Sequence, residues 1–118
     1  QYRGGVQQDS NSTDIIIETI HYMKENIERK LTLQEIAKHT GYSISRFSSL
    51  FSQRTGYSPL TYFNMLKIQQ ACYLLDFTNI KINQVCYKIG IDDPYYFSRL
   101  FNKIMGMPPK EYKKLKKG

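Results

Sequence analysis

The sequence predicts an all-α protein of about seven helices, arranged as two helix-turn-helix lobes that a long helix joins. An internal repeat is the clearest observation: FSSLFSQRTGYSPLTY begins at Phe47, and FSRLFNKIMGMPPKEY begins fifty residues later at Phe97. Seven of these sixteen aligned positions are identical. A second observation is that no segment alternates polar and apolar residues as a strand would, whereas helical spacings recur throughout. Together they predict two copies of one helical module.

The repeat continues upstream at a spacing of 49 residues, which is one residue shorter than in the main match. One residue is therefore inserted in the second copy, near the turn that follows Gly90. The upstream matches are Ile36 with Val85, Ala37 with Cys86, and Gly41 with Gly90.

Three helices are predicted in the first copy. Apolar residues recur every three or four positions over about residues 14–27, which predicts the first helix. Thr32 and Glu35 form a capping box that begins a second helix over residues 33–39, and Gly41 ends it. Ser43 can cap a third helix over about residues 44–54, which ends at Gly56.

A long fourth helix is predicted to begin at Ser58 and Pro59 and to reach about Leu75, because proline suits the first helical position. Its apolar residues go nearly all the way round, so it is expected to be covered on opposite sides. A helix of this kind is suited to join two lobes.

The second copy repeats the plan. A fifth helix is predicted over residues 82–88 with Gly90 as its stop, and Asp92 or Asp93 caps a sixth helix that has Pro94 in its first turn. Gly106 ends the sixth helix. Pro109 then begins a short seventh helix that reaches about residue 116.

These elements divide the chain into four predicted parts. Residues 1–12 are polar and contain glycine, so they are expected to be a linker or a remnant of an expression sequence. Residues 13–57 form the first helix-turn-helix lobe, residues 58–76 the joining helix, and residues 77–118 the second lobe.

The second helix of each lobe has one apolar face and one polar face. In the third helix the apolar residues are Phe47, Leu50 and Phe51, and the polar face carries Ser45, Arg46, Ser48, Ser49, Ser52 and Gln53. In the sixth helix the apolar residues are Phe97, Leu100, Phe101 and Ile104, and the polar face carries Tyr95, Ser98, Arg99, Asn102 and Lys103.

The polar faces have the chemistry of a DNA-reading helix. Small hydroxyls let a helix lie deep in the major groove and bond bases or phosphates. Arg99 is the best candidate to bind a guanine edge with two hydrogen bonds, and Tyr95 could contact a thymine methyl group or a phosphate.

The composition favours a polyanionic partner. The 118 residues carry a net charge of +7, and six lysines crowd the C-terminal end, where they form either a solvated tail or part of a binding surface. No run of about 18 apolar residues occurs, so no membrane span is predicted. A membrane partner is not expected either, because the apolar helix faces are needed for a core. Cys72 and Cys86 fall on apolar helix positions and are interpreted as reduced core thiols, which fits a cytoplasmic protein.

No enzyme, cofactor or metal site is predicted. His21 and His39 have no acidic or cysteine partner at a ligand spacing, and the Asp92–Asp93 pair is better explained as a helix cap than as a catalytic carboxylate pair. The common nucleotide-binding, hydrolase and metalloprotease motifs are absent from the sequence.

Residues 33–112 resemble the DNA-binding domain of the AraC/XylS family of bacterial transcription regulators, and with the preceding helix the resemblance covers about 100 of the 118 residues. In the first copy it is carried by Ala37, Gly41, Phe47, Leu50, Phe51, Gly56 and Pro59. In the second copy it is carried by Gly90, Asp93, Tyr96, Phe97, Arg99, Phe101, Gly106, Pro109 and Tyr112.

The resemblance implies a homeodomain-like fold that binds double-stranded DNA sequence-specifically. The third and sixth helices would enter adjacent major-groove segments, which lie about 34 Å apart on one face of DNA. The base contacts would come from Ser45, Ser48, Ser49, Tyr95, Ser98 and Arg99, while Pro94 has no side-chain donor for such a contact. The backbone contacts would come from Arg46, Arg54, Lys67, Asn102 and Lys103.

Two further positions depart from the family pattern. Lys67 stands where the joining helix often carries arginine, which keeps the charge and loses the forked donor geometry. Cys86 stands where alanine is common, which is an exchange of one small residue for another.

The resemblance also implies partners outside this chain. A sensing or dimerisation domain would precede these residues, RNA polymerase is a possible further partner, and the location would be the bacterial cytoplasm, on the nucleoid. Two alternatives stay open: a basic helical module that binds a protein such as RNA polymerase, and a binder of anionic membranes. Steep salt dependence would favour DNA over an apolar protein interface.

Overall fold

The computed structural model describes the backbone of residues 2–117 and the side chains of residues 14–115. Within this range the chain forms seven α-helices and no strand, so the predicted all-α fold is confirmed. The helices are α1 Tyr2–Glu25, α2 Leu33–Thr40, α3 Ile44–Thr55, α4 Pro59–Phe77, α5 Ile82–Lys88, α6 Pro94–Met105 and α7 Pro109–Lys117.

The first helix differs most from its prediction. It begins at Tyr2, where Asp14 was expected, and ends at Glu25, where Ile27 was expected. No proline interrupts residues 2–25, and extending an existing helix needs no new nucleation, so a polar stretch can continue it. The side chains of residues 1–13 lie outside the described residues, and their role as a linker stays a prediction.

The chain forms two compact units. The first comprises the residues up to Asn26 together with Leu31–Phe63, and the second comprises Ile27–Lys30 together with the residues from Asn64 onward. The connection between α1 and α2 therefore belongs to the second unit, although both helices belong to the first. Helix α4 contributes residues 59–63 to the first unit and residues 64–77 to the second. The predicted lobes were continuous segments, so they do not include this exchange of segments between the two units.

In the first unit α1, α2 and α3 pack on one another. The α1 residues Ile16 and Met23 are buried, as the helical spacing predicted. Two phenylalanines of α3 are completely buried, and the Phe51 ring meets Tyr62 of α4 edge-on at a centroid distance of 5.4 Å. The other buried side chains of this unit include Thr19, Leu31, Ile36, Ala37, Phe47, Pro59 and Phe63.

The second unit has a core built from α4, α5 and α6. Its buried residues are Ile68, Ala71, Leu75, Val85, Cys86, Ile89, Ile91, Phe97 and Phe101. Helix α7 closes this core: the Tyr112 ring meets Phe101 edge-on, and the Tyr112 hydroxyl donates to the Asp76 carboxylate over 3.2 Å. Cys86 is fully buried and Cys72 is half-buried, and neither of these two described residues forms a disulfide.

The end of α4 is not covered on both sides, which corrects the expectation for this helix. Tyr73 and Phe77 are 55% and 73% exposed, and their rings pack on each other with centroids 5.1 Å apart. Within the described residues no helix combines the length and the apolar character that crossing a bilayer requires.

Candidate nucleic-acid interface

The sequence of α3 determines where this helix begins and which of its faces is buried. The Ser43 hydroxyl accepts a hydrogen bond from the Arg46 amide over 3.2 Å and caps the helix, as predicted. Phe47 and Phe51 are fully buried one turn apart, with ring centroids at 5.7 Å. Burying these two rings anchors one face of α3 and turns the opposite face outward.

A row of polar side chains runs along the outward face of α3. Ser45, Ser49 and Gln53 are spaced four residues apart, and all three are exposed. We call them the α3 row. They line an open surface groove of about 460 Å³, whose other lining residues are Ser43, Arg46 and Leu50. The groove offers hydroxyl and amide groups, which both donate and accept hydrogen bonds.

Two arginines flank the α3 row. The Arg46 guanidinium lies over the Tyr42 ring, with its Cζ atom 5.5 Å from the ring centroid. This cation–π contact orients a planar donor group at an exposed position. Arg54 is exposed near the C-terminal end of the helix. Both arginines are exposed on α3, and their phosphate contacts stay a prediction.

Ser48 does not fit its predicted base contact. Its hydroxyl oxygen is buried and has no hydrogen-bond partner among the described residues. The residue follows Phe47 directly, so it lies at the seam between the core and the polar face. A base edge cannot reach this oxygen in the present conformation, which corrects the prediction.

Helix α6 begins with the cap that the sequence predicted. Asp93 accepts a hydrogen bond from the Tyr95 amide over 3.0 Å, and Pro94 occupies the first helical position. Phe97 and Phe101 are buried, with ring centroids 5.8 Å apart. These rings anchor α6 in the second unit as their counterparts anchor α3 in the first.

The outward face of α6 carries larger and more strongly charged groups than that of α3. Tyr95, Arg99 and Lys103 are spaced four residues apart, and all are exposed, Tyr95 by 80%. We call them the α6 row. Asn102 is exposed beside it, whereas Ser98 is half-buried and has a position equivalent to that of Ser48. The α6 row therefore combines an aromatic donor, a forked guanidinium and an ammonium on one face.

The two rows are equivalent in the repeat. Ser45 corresponds to Tyr95, Ser49 to Arg99 and Gln53 to Lys103, each at a spacing of fifty residues. Gln53 lies on the polar face that the sequence predicted, but it was not among the predicted site residues. Its four-residue spacing from Ser49 is the signal that would have found it.

Lys67 does not fit its predicted phosphate contact. Its side chain is only 4% exposed, and its ammonium donates hydrogen bonds to the backbone carbonyls of Ile27, of Arg29 at 2.9 Å and of Ile89 at 2.6 Å. Burial lowers the pKa of this lysine to about 8. A phosphate could reach the ammonium only if it left these carbonyls, which corrects the prediction.

Each of the two histidines contacts a neighbouring side chain, a carboxylate for His21 and a tyrosine ring for His39. His21 lies 3.3 Å from the Glu25 carboxylate, and the His39 ring stacks on Tyr22 with centroids 4.1 Å apart. Among the residues whose placement is described, no three His, Cys, Asp or Glu side chains are grouped to hold a metal ion.

Comparison with known proteins identifies relatives across most of the chain. Residues 21–115 match a family model described as a helix-turn-helix domain. The chain is 40% identical over 92 residues to the MmsAB operon regulatory protein of Pseudomonas aeruginosa, covering 78% of this chain and 30% of that protein. It is 35% identical over 97 residues to the arabinose operon regulatory protein of Escherichia coli, covering 81% of this chain and 33% of that protein. The chain thus spans about a third of the length of these relatives.

Solved structures share the same fold. An AraC-type DNA-binding domain-containing regulator from Chromobacterium violaceum superposes with a TM-score of 0.83 at 27% identity, covering 91% of this chain and 96% of that one. The DNA-binding domain of AdpA, solved with a target DNA, gives a TM-score of 0.81 at 21% identity over 85% of this chain and 90% of that one. The buried phenylalanine pairs, the capped helices and these relatives lead to one assignment: the chain belongs to the helix-turn-helix domain family of the AraC/XylS type.

Proposed function

We propose that this chain binds double-stranded DNA sequence-specifically, as the DNA-binding part of a bacterial AraC-type transcription regulator. The observation that carries the proposal is the pair of equivalent exposed rows on α3 and α6. Each row lies opposite a buried phenylalanine pair, so each helix has a fixed inner face and a free polar outer face. Such a helix can enter the major groove without losing its anchorage.

The two rows would read bases in different ways. Arg99 can bind guanine O6 and N7 with two hydrogen bonds, and the Tyr95 ring can contact a thymine methyl group. The Gln53 amide can pair with adenine N6 and N7, whereas the serines of the α3 row have short reach. We therefore expect α6 to contribute more direct base recognition than α3. The helices would occupy successive major-groove segments, which are about 34 Å apart.

Charged and polar residues beside the rows would hold the DNA backbone. Arg46, Arg54, Asn102 and Lys103 are exposed and can contact phosphates. The net charge of +7 favours association with a polyanion. Each neutralised phosphate releases counterions, so affinity would fall steeply with added salt.

The proposal extends to the whole regulator and involves no catalysis. Because the chain matches about a third of each relative above, a sensing or dimerisation domain elsewhere in the protein is part of the proposal. A cytoplasmic location on the nucleoid follows from binding to bacterial DNA. Contact with RNA polymerase stays a prediction.

Selection from a random library of DNA duplexes tests the proposal. We expect the chain to enrich two short motifs separated by about one helical turn. For about six to ten contacted phosphates, affinity would fall about 10³- to 10⁵-fold between about 50 and 200 mM salt.

Lys114→Ala is the matched control, because this exposed lysine lies on α7, outside both rows. The control should keep the selected motifs, whereas Arg99→Ala should lose preference at one base pair. An unenriched library, or binding that barely changes with salt, would instead favour the protein-interaction module.

A further inference from the structure

The turns that precede α3 and α6 are equivalent in the repeat but differ in their surroundings. Gly41 and Gly90 have nearly the same positive φ, +82° and +79°. A Cβ atom built on Gly41 would meet nothing within 4 Å. A Cβ built on Gly90 would lie 2.6 Å from the Glu28 carbonyl oxygen and 3.0 Å from Lys67 Nζ. The second turn is therefore packed directly against the backbone that connects α1 and α2.

Lys67 joins this connection to the turn. Its ammonium donates to the carbonyls of Ile27 and Arg29 in the connection and to the carbonyl of Ile89 in the turn. An ammonium has three N–H donors, which matches three carbonyl acceptors. The bond to Ile89 is buried and the other two are partly buried. The Ile89 carbonyl in particular needs a donor, because an unmade hydrogen bond in the interior is costly.

Further hydrogen bonds and an ion pair fix the residues between this turn and the N-cap of α6. The Ile91 amide donates to the Cys86 carbonyl over 3.1 Å, and the Cys86 thiol donates to the Ile91 carbonyl over 2.8 Å. Lys30 of the connection pairs with Asp92 over 2.6 Å. The next residue, Asp93, caps α6. A shift of the turn at Ile89 would thus reach the Asp93 cap within four residues and Tyr95, the first residue of the α6 row, within six.

We propose that Lys67 is a positioning residue for base recognition by α6, because its ammonium fixes the turn before α6 on the backbone of Ile27–Lys30. This inference rests on the proposed function, since its effect on DNA is exerted through the α6 row. Lys67 touches no base in this scheme. Groups that recognise a ligand must be held within about 0.5 Å of their working position, which residues behind them ensure.

The test compares Lys67→Met, Lys67→Arg and a control, Lys24→Met, which alters an exposed lysine of α1. The probe is the duplex that the wild-type chain selects, bound at a temperature where each variant is fully folded. Arg99→Ala and Gln53→Ala first identify which base pairs α6 and α3 read. We expect Lys67→Met to lower discrimination about tenfold at the α6 base pairs, within the range of one bidentate contact, and to leave the α3 base pairs unchanged.

A purely structural role would give another pattern. If Lys67 only contributed to stability, the folded fraction of Lys67→Met would show wild-type preferences at every base pair, which would overturn the proposal. Loss of preference at both sets of base pairs would overturn it as well. We expect Lys67→Arg to recover most of the lost discrimination, because it restores a cation with several donors.

A second measurement needs no DNA. Hydrogen exchange followed by NMR should show faster exchange in Lys67→Met at the amides of Gly90, Ile91 and Tyr95, with amides of α7 unaffected. If Lys67→Met does not fold, Lys67→Gln, which keeps two donors, should show the same pattern more weakly. A wild-type chain that selects no DNA would disprove the proposed function, yet exchange would still decide whether Lys67 fixes the turn. Unchanged exchange at those amides would overturn the inference.

Discussion

Tyr112 and Phe101 pack edge to face, with ring centroids 5.5 Å apart and ring planes at 69°. The residues fifty positions earlier, Tyr62 and Phe51, make the same contact at 5.4 Å and 82°. In each unit the helix that bears the exposed row is therefore held from behind by a tyrosine of the next helix. Aromatic pairs of this geometry contribute about 0.5–1.5 kcal/mol beyond the area they bury.

Replacing Arg99 by alanine should weaken binding to the selected DNA site by ~1–3 kcal/mol and relax specificity at one base pair. The guanidinium is exposed on α6, so the folded state should keep its stability. Binding isotherms on the selected duplex and on duplexes changed at each base pair measure the effect. Lys114→Ala serves as the control for loss of one charge. Equal loss of affinity for all sequences would assign Arg99 to the backbone instead.

Alanine should be tolerated far better at Gly41 than at Gly90. Both positions have positive φ, which costs an L-residue about 1–2 kcal/mol. At Gly90 the new Cβ would also lie 2.6 Å from a backbone oxygen, and relieving that overlap should cost about 1–3 kcal/mol more. Thermal unfolding followed by circular dichroism measures the difference. Equal melting temperatures for the two variants would show that the crowding at Gly90 is relieved without strain.

Lys67 should make stability rise with pH in the alkaline range. The pKa of Lys67 falls from 10.5 to about 8 because the side chain is buried. Between these values the unfolded chain binds one more proton than the folded chain, so raising the pH favours the folded state. The contribution of Lys67 to the free energy of unfolding should be constant below pH 8, increase from about pH 8 to pH 10.5, and then level off.

Urea unfolding of the wild type and of Lys67→Gln at several pH values tests this expectation. The glutamine variant has no ammonium at this position, and every other titratable group is common to both proteins. The difference in unfolding free energy should therefore isolate Lys67. A difference that stays flat from pH 8 to 10.5 would contradict the lowered pKa.

The two thiols should differ in reactivity in the folded protein. Cys86 is completely buried and donates to the Ile91 carbonyl. Burial raises the pKa of its thiol, and the Asp92 and Asp93 carboxylates raise it further, so little reactive thiolate forms. Cys72 is half-buried. Mass spectrometry after brief thiol labelling should find Cys72 modified first and Cys86 modified only in denaturant. Equal native labelling would show that the second core opens readily.

Local sequence signals predicted the capped helix starts well because the chemistry of a cap is local. Thr32 and Glu35 exchange the two hydrogen bonds of a capping box, and Ser43 and Asp93 each accept a bond from an amide two or three residues on. Such bonds depend on residues within one turn of one another. The capped starts of α2, α3 and α6 could therefore be identified from the sequence alone.

The roles of Ser48 and Lys67 could not be predicted in this way. Ser48 is half-buried on the boundary of the polar face, and helical spacing alone does not determine whether its hydroxyl is exposed. Lys67 donates hydrogen bonds to carbonyls that are 22 to 40 residues away in the sequence. Every residue has a backbone carbonyl, so the residue type does not indicate which carbonyl will be the acceptor. Residues Ile27–Lys30 belong to the second unit while the flanking helices belong to the first, and this assignment also depends on contacts between residues far apart in the sequence.

The uncrowded surroundings of Gly41 have a practical consequence for protein engineering. A Cβ atom at Gly41 would meet nothing within 4 Å, so a residue change in the first turn should disturb its surroundings less than the same change in the second turn. Redesign of the second copy must preserve Ile27–Lys30 and Lys67, because the turn before α6 packs against the Ile27–Lys30 backbone. Two turns that descend from one module thus differ in how tightly their surroundings constrain them.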